Sequence, residues 1–178
     1  METERLIIRK FCINDWNDLH EYLSQEATVK YEPYEMFSEE ESKQEALKRS
    51  ENDSFWAVCL KPSGKLIGNI YFAKQAFKTW ELGYVFNADF LGHGYATEAA
   101  RALIDYSFEE KDVHRIVAMC NPLNKQSWKL LERLGMRREG VLLQNIYFKK
   151  NEHGFPIWQD TYEYAILRTE WNEIKRMK

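Results

Sequence analysis

The chain has 178 residues, a formal net charge of −3, and 44% hydrophobic against 30% charged residues. That is the size of one domain, residues 1–178, able to bury roughly 70% of its unfolded surface in a single core. The weak negative charge gives no reason to expect a nucleic-acid surface.

The opening METERLIIRK is charged from its second residue and lacks the apolar segment of a signal peptide. No run approaches the length of a membrane span, so a cytoplasmic protein without a membrane partner is expected. Three cysteines, Cys12, Cys59 and Cys120, are widely spaced and form no C-x-x-C pair. Each lies in a strand-like run and reads as a reduced, buried thiol. The four histidines show no ligand spacing, so no metal is expected.

In chain order, Leu6–Phe11 reads as a strand and Asn14–Glu26 as a helix capped by Asn14 or Asp15. The aromatic stretch Val29–Phe37, broken by Pro33, reads as a loop. Ser38-Glu39-Glu40-Glu41 carries a capping box and opens a helix to about Ser50. Three strands follow, Phe55–Leu60, Leu66–Phe77 and Trp80–Phe86, with turns too short for anything but antiparallel neighbours. Thr97–Glu110 has helical spacing of Ala99, Ala100, Leu103, Ile104 and Phe108, and Arg115–Cys120 is a strand that completes a βαβ unit. Asn124 caps a helix over Lys125–Leu134 that stops at Gly135. Val141–Lys149 and Ile157–Arg168 read as two last strands. The expected fold is a single α/β (α+β) domain with its core over about 5–170: a twisted, mixed, mostly antiparallel sheet of about seven strands flanked by about four helices.

The segment Leu91-Gly92-His93-Gly94-Tyr95-Ala96-Thr97 lies between a strand and a helix. Helix N-termini leave N–H groups free and carry partial positive charge, so glycines there can cradle a phosphate. Two other readings stand beside this one, a tight loop and the dinucleotide fingerprint G-x-G-x-x-G. Thr97 occupies the third glycine position of that fingerprint, and an antiparallel meander precedes the loop, which weighs against a doubly wound sheet.

Leu91 to Ala99 resembles the acetyl-CoA pyrophosphate loop of the GNAT superfamily, Q/R-x-x-G-x-G/A, with Gly94 and Ala96 at its two small positions. Asn124-x-x-Ser127, Leu131-Glu132-Arg133-Leu134-Gly135-Met136 and Arg138-Glu139-Gly140 resemble the second signature of its RimJ/RimL-type N-acetyltransferases. Glu81-Leu82-Gly83-Tyr84 is similar to their fourth strand, and QDTYEYAIL, with Asp160 and Tyr164, to their closing strand. Leu91 departs from the Gln or Arg that opens the general motif. Leu131 stands where many members carry a tyrosine that protonates the departing thiolate.

The resemblance implies a GNAT-type acetyl-CoA-dependent N-acetyltransferase in which an amine attacks the thioester directly. Acetyl-CoA is the cosubstrate. Its binding is assigned to Leu91, Gly92, His93, Gly94, Tyr95, Ala96 and Thr97, through backbone amides without a charged side chain, and to Asn124 and Ser127. A backbone N–H near Val85 or Phe86 would polarise the thioester. Glu81 is the candidate base, its alternative being a solvated strand carboxylate. Ser127 is the candidate donor to the sulfur, its alternative a packing residue bonded to its own helix. Tyr31, Tyr34 and Trp80 are candidate acceptor-site aromatics, with core packing as the alternative. Glu32 and Glu35 read either as attracting a cationic amine or as a solvated loop face.

An α-amine is about one-seventh neutral at pH 7, whereas a lysine amine is neutral only about four times in ten thousand, a gap of about 3.5 kcal/mol. The partner expected is an amine acceptor: the neutral fraction favours a protein N-terminal α-amine, and the subfamily resemblance implies one of the ribosomal-protein type. A small-molecule amine (polyamine, amino sugar or antibiotic) is the alternative, and a non-catalytic acyl-CoA sensor is the reading from another class. The chain is expected as a monomer or homodimer.

Overall fold

In the computed structural model, which describes residues 1–177, β1 (Leu6–Lys10) leads into α1 (Trp16–Leu23), the single turn α2 (Glu26–Val29) and α3 (Glu39–Ser50). Three strands follow, β2 (Phe55–Leu60), β3 (Leu66–Lys74) and β4 (Thr79–Phe86), and then α4 (Tyr95–Glu110). The chain closes with β5 (Arg115–Cys120), α5 (Lys125–Arg133), β6 (Arg137–Ile146), β7 (Gln159–Leu167) and α6 (Arg168–Arg176).

One sheet of seven strands has the order β1-β2-β3-β4-β5-β7-β6. All neighbours are antiparallel except β4 and β5, the pair joined through α4. Helices cover both faces. Leu103 and Ile104 of α4, Leu130 and Leu131 of α5 and Trp171 of α6 bury one face with Ile70, Leu82 and Ile116. Leu19, Tyr22 and Leu23 of α1 and Ala46 of α3 bury the other with Ala57 and Leu66.

The sheet is incomplete at its centre. β4 pairs with β5 only over Thr79–Glu81 against Arg115–Val117. Past that point β4 stays with β3 as far as Phe86, while β5 follows β7 as far as Cys120. The two strands part and leave a V between them.

The glycine loop, both caps and the βαβ unit lie where the sequence places them. Ser38 Oγ accepts from Glu41 N at 3.3 Å while Glu41 returns to Ser38 N at 2.8 Å. Asn124 Oδ1 accepts from Ser127 N at 3.1 Å.

Other expectations are corrected. α6 follows the last expected strand, where no further element is expected, because Glu170 accepts from Leu167 N at 2.8 Å and Trp171 is buried, its indole donating to Asp105 at 2.8 Å. α2 adds a sixth helix. α4 begins at Tyr95, two residues early, with Gly94 as its N-cap. β3 stops at Lys74 because its partner begins the return at Trp80, and Phe77 turns outward with φ +56°. β6 starts four residues early, at Arg137, a charged edge-strand stretch without alternating hydrophobicity. Asp15 caps no helix N–H; it pairs with Arg9 at 2.7 Å and accepts from Cys12 N at 2.8 Å. Cys12 is exposed beyond the end of β1, whereas Cys59 and Cys120 are buried. Among the described residues no helix is long and apolar enough to cross a membrane.

Candidate active site

Gly92 and Gly94 hold φ of +82° and +80°, a region that side-chain-bearing residues rarely enter. A Cβ on Gly92 would meet nothing within 4 Å, so the loop faces open space. Glu98 N makes the first bond of α4, to Gly94 O. Among the described residues, the N–H groups from Gly92 to Thr97 find no protein acceptor. Six unpartnered amides at a helix N-terminus, with the helix dipole behind them, suit an anion.

The loop is braced from β1. Arg5 donates to His93 O at 3.0 Å and to Glu98 at 2.7 Å, and stacks on Tyr95. Burial works against the Glu98 carboxylate, but Thr3 and Arg5 hold it below its ordinary range. A cavity of about 390 Å³ in front of the loop is walled by Gly92, Gly94 and Thr97 on one side and by Lys129 and Arg133 of α5 on the other. The two cations were not legible in the motif, because they come from a different helix.

Leu91, Phe86, Ala96 and Leu130 are shared with a second cavity of about 350 Å³, which runs into the V. Asn87 donates to Ile67 O at 2.9 Å, which fixes the alternation along β4. Val85 turns its N–H toward β3, and Phe86 and Tyr84 turn theirs toward the gap. Of the two expected donors, Val85 N–H is therefore consumed by the sheet, and only its side chain reaches the cavity.

Across the V stand Asn124 and Ser127 of α5. Tyr84 Oη lies 2.9 Å from Ser127 Oγ and 3.0 Å from Ser127 O. Burial raises the Tyr84 phenol well above its ordinary pKa, so it stays protonated. Leu131 is buried in the wall beneath, and Cys120, pushed up to about 11 by burial, is a thiol at neutral pH.

The V opens into a third space of about 420 Å³, lined by Glu32, Glu81 and Asp160 together with Tyr31, Tyr84, Ser127 and Phe148. Among the described residues no lysine, arginine or histidine lines it. Glu81 accepts from Gln75 Nε2 at 2.9 Å. Asp160 accepts from Gln144 N at 2.8 Å, holding a β6 irregularity where Gln144 has φ +46°. Tyr31 roofs the junction and donates to Leu123 O at 3.3 Å.

Two candidate aromatics lie elsewhere. Trp80 stacks on Phe72 with centroids 4.9 Å apart and lies under Lys111, away from the cavities. Tyr34 packs edge-on against Phe37 at 5.2 Å and lines only a side pocket of about 90 Å³. His93 is an exposed loop residue stacked on Tyr95.

The residue the sequence left undecided is Glu32. It lines both the V and the carboxylate-walled space, and burial pushes its carboxyl up to about 7, with Arg49 and Tyr34 pulling partly back.

Residues 5–137 match the acetyltransferase (GNAT) domain family. The chain is 41% identical over 172 residues to an uncharacterized N-acetyltransferase, YnaD, of Bacillus subtilis, covering 96% of this chain and 98% of that one. It superposes on the crystal structure of a GNAT-family acetyltransferase from Bacillus anthracis with a TM-score of 0.86 at 40% identity, covering 95% and 98% of the two chains. It is also 31% identical over 98 residues to the [ribosomal protein uS5]-alanine N-acetyltransferase of Escherichia coli, spanning 55% of this chain and 47% of that one. The anion cradle, the split sheet and these matches agree: the chain belongs to the GNAT family and is an acetyl-CoA-dependent N-acetyltransferase.

Proposed function

We propose that acetyl-CoA lies along the first two cavities and that a protein N-terminal α-amine enters through the third. The observation that carries this reading is their continuity: anion cradle, V and carboxylate-lined space share Leu91, Ala96, Tyr84 and Ser127 at their joins. The amides of Gly92 to Thr97, with Lys129 and Arg133, hold the pyrophosphate. Asn124 and Ser127 flank the pantetheine end. Phe86 N–H, and Tyr84 N–H deeper in the V, face the thioester oxygen, where a preorganised donor strengthens as charge develops. Ser127 Oγ serves the departing sulfur. Glu81 and Asp160 form an anionic wall that draws in an ammonium group and repels acids.

The α-amine reading is supported by the match to the uS5-alanine enzyme and by the greater neutral fraction of α-amines at pH 7. A second reading, a small polyamine, is favoured by one observation, three carboxylates around the entry with no cation among the described residues that line it.

A thiol-release assay with acetyl-CoA and a panel of alanyl peptides, N-blocked lysyl peptides and spermidine separates the two. Turnover confined to free N-terminal peptides is expected; turnover of spermidine alone selects the second reading. Acetyl-CoA at a hundredfold excess over its Kd should raise unfolding stability by about 2.7 kcal/mol. No stabilisation would remove the donor assignment.

A further inference from the structure

We propose that Glu32 is the catalytic base that takes a proton from the incoming ammonium group. This rests on the reading of the V as the thioester site.

Position favours Glu32 over Glu81. Glu32 lies where the V meets the acceptor space, alongside Tyr31, Tyr84, Asn124 and Ser127, which line both. Glu81 lines the acceptor space but not the V, at the last β4–β5 pair, with its carboxylate held by Gln75.

The surroundings leave Glu32 free to accept. Arg49 of α3 is the cation that acts on Glu32, but its guanidinium bonds Glu45 at 2.8 Å and Asn69 at 2.9 Å and stacks on Phe55. Lys149 is paired with Glu35 at 3.1 Å. Among the described residues Glu32 has no salt bridge. Tyr34 from its own loop and Tyr84 from β4 face it as neutral phenols. Glu81 and Asp160 face it across the acceptor space. Burial is what disfavours ionisation of Glu32, with Arg49 and the Tyr34 hydroxyl opposing it.

The step balances. The Glu32 carboxylate takes one proton from the ammonium, and the freed nitrogen lone pair forms the C–N bond at the thioester carbonyl carbon. The C–S bond breaks with its electron pair on sulfur. The second nitrogen proton reaches the sulfur through the Ser127 hydroxyl, and Glu32 returns its proton to water. A carboxyl titrating at about 7 is nearly matched to an α-ammonium at about 7.8 and poorly matched to a lysine-type ammonium at about 10.4. That contrast follows the acceptor order proposed above.

The test is Glu32→Gln with acetyl-CoA and an alanyl tripeptide amide. kcat should fall by about 100-fold or more. Its profile should lose the limb near pH 7 and follow the bound amine instead, while the acetyl-CoA Kd stays within twofold. Glu32→Asp should recover part of the rate. A Gln variant with near-wild-type kcat and the same limb, or one that has lost acetyl-CoA binding, overturns the assignment.

A carbon-13 titration of the Glu32 carboxyl in the wild-type protein needs no acceptor. A midpoint near 7 is expected, and one near 4.5 overturns the proposal. If the wild type acetylates none of the panel, the acceptor reading fails, and this titration still decides on Glu32.

Discussion

Tyr84 Oη sits 2.9 Å from Ser127 Oγ, so a phenol on one arm of the V touches a hydroxyl on the other. The contact joins β4 to α5 where the sheet has lost its own β4–β5 hydrogen bonds. It also places a protonated phenol beside the serine proposed to serve the sulfur, near the buried Leu131. Tyr84→Phe should lower kcat by about tenfold. It should also cost about 1 kcal/mol of stability, the net worth of a typical hydrogen bond. Combined with Ser127→Ala, the losses should not add, because both substitutions remove the same contact. Steady-state kinetics and urea unfolding of the two single variants and the double variant check this.

Gly94→Glu places a side chain on a residue with φ +80° and a carboxylate before the unpartnered amides. Acetyl-CoA affinity should fall by at least about tenfold, from backbone strain and from lost anion attraction. Calorimetric titration measures it, and unchanged affinity would exclude the loop as the pyrophosphate site.

Lys129→Ala and Arg133→Ala should each weaken acetyl-CoA binding by a few-fold while leaving kcat at saturation near wild type. Both side chains are solvent-facing, so the losses should shrink as salt rises. Kd measured at two ionic strengths tests this.

Glu139 ties the far end of the sheet together. It accepts from Arg115 at 3.0 Å and pairs with Arg137 at 2.6 Å, and the Arg115 hydrogen bond leads in holding its carboxyl down at about 2. A depressed folded-state pKa contributes stability above the unfolded value of about 4.3, and that stability is lost as pH falls toward the folded value. Wild-type stability should therefore drop between about pH 5 and pH 2. Glu139→Gln should start lower at pH 7 and fall less steeply over that window, as read from urea midpoints across the range.

The backbone geometry of the proposed CoA side was legible in the chain because it depends on residues close in sequence. A glycine pair before an amphipathic helix and an Asn124 cap three residues before Ser127 specify their own geometry within a few residues. The acceptor side was not. Glu32 lies in an aromatic loop without periodicity, and its desolvation comes from distant segments folding around it. Trp80, equally aromatic, went to the core because its partner Phe72 lies across the β3–β4 turn. α6 was missed because its apolar contacts, Trp171 and Ile174, are few and its N-cap position is Leu167 rather than a serine or aspartate.

Hydrophobic period, turn lengths and caps thus carried the β2-β3-β4 meander, the βαβ unit through α4 and the glycine loop before α4, because each depends on residues close in sequence. The depth of the V, the Tyr84–Ser127 contact, the cations opposite the loop and the burial of Glu32 came from tertiary packing. They depend on which side chains meet across the sheet, and on water being excluded where they meet, and no local pattern encodes either.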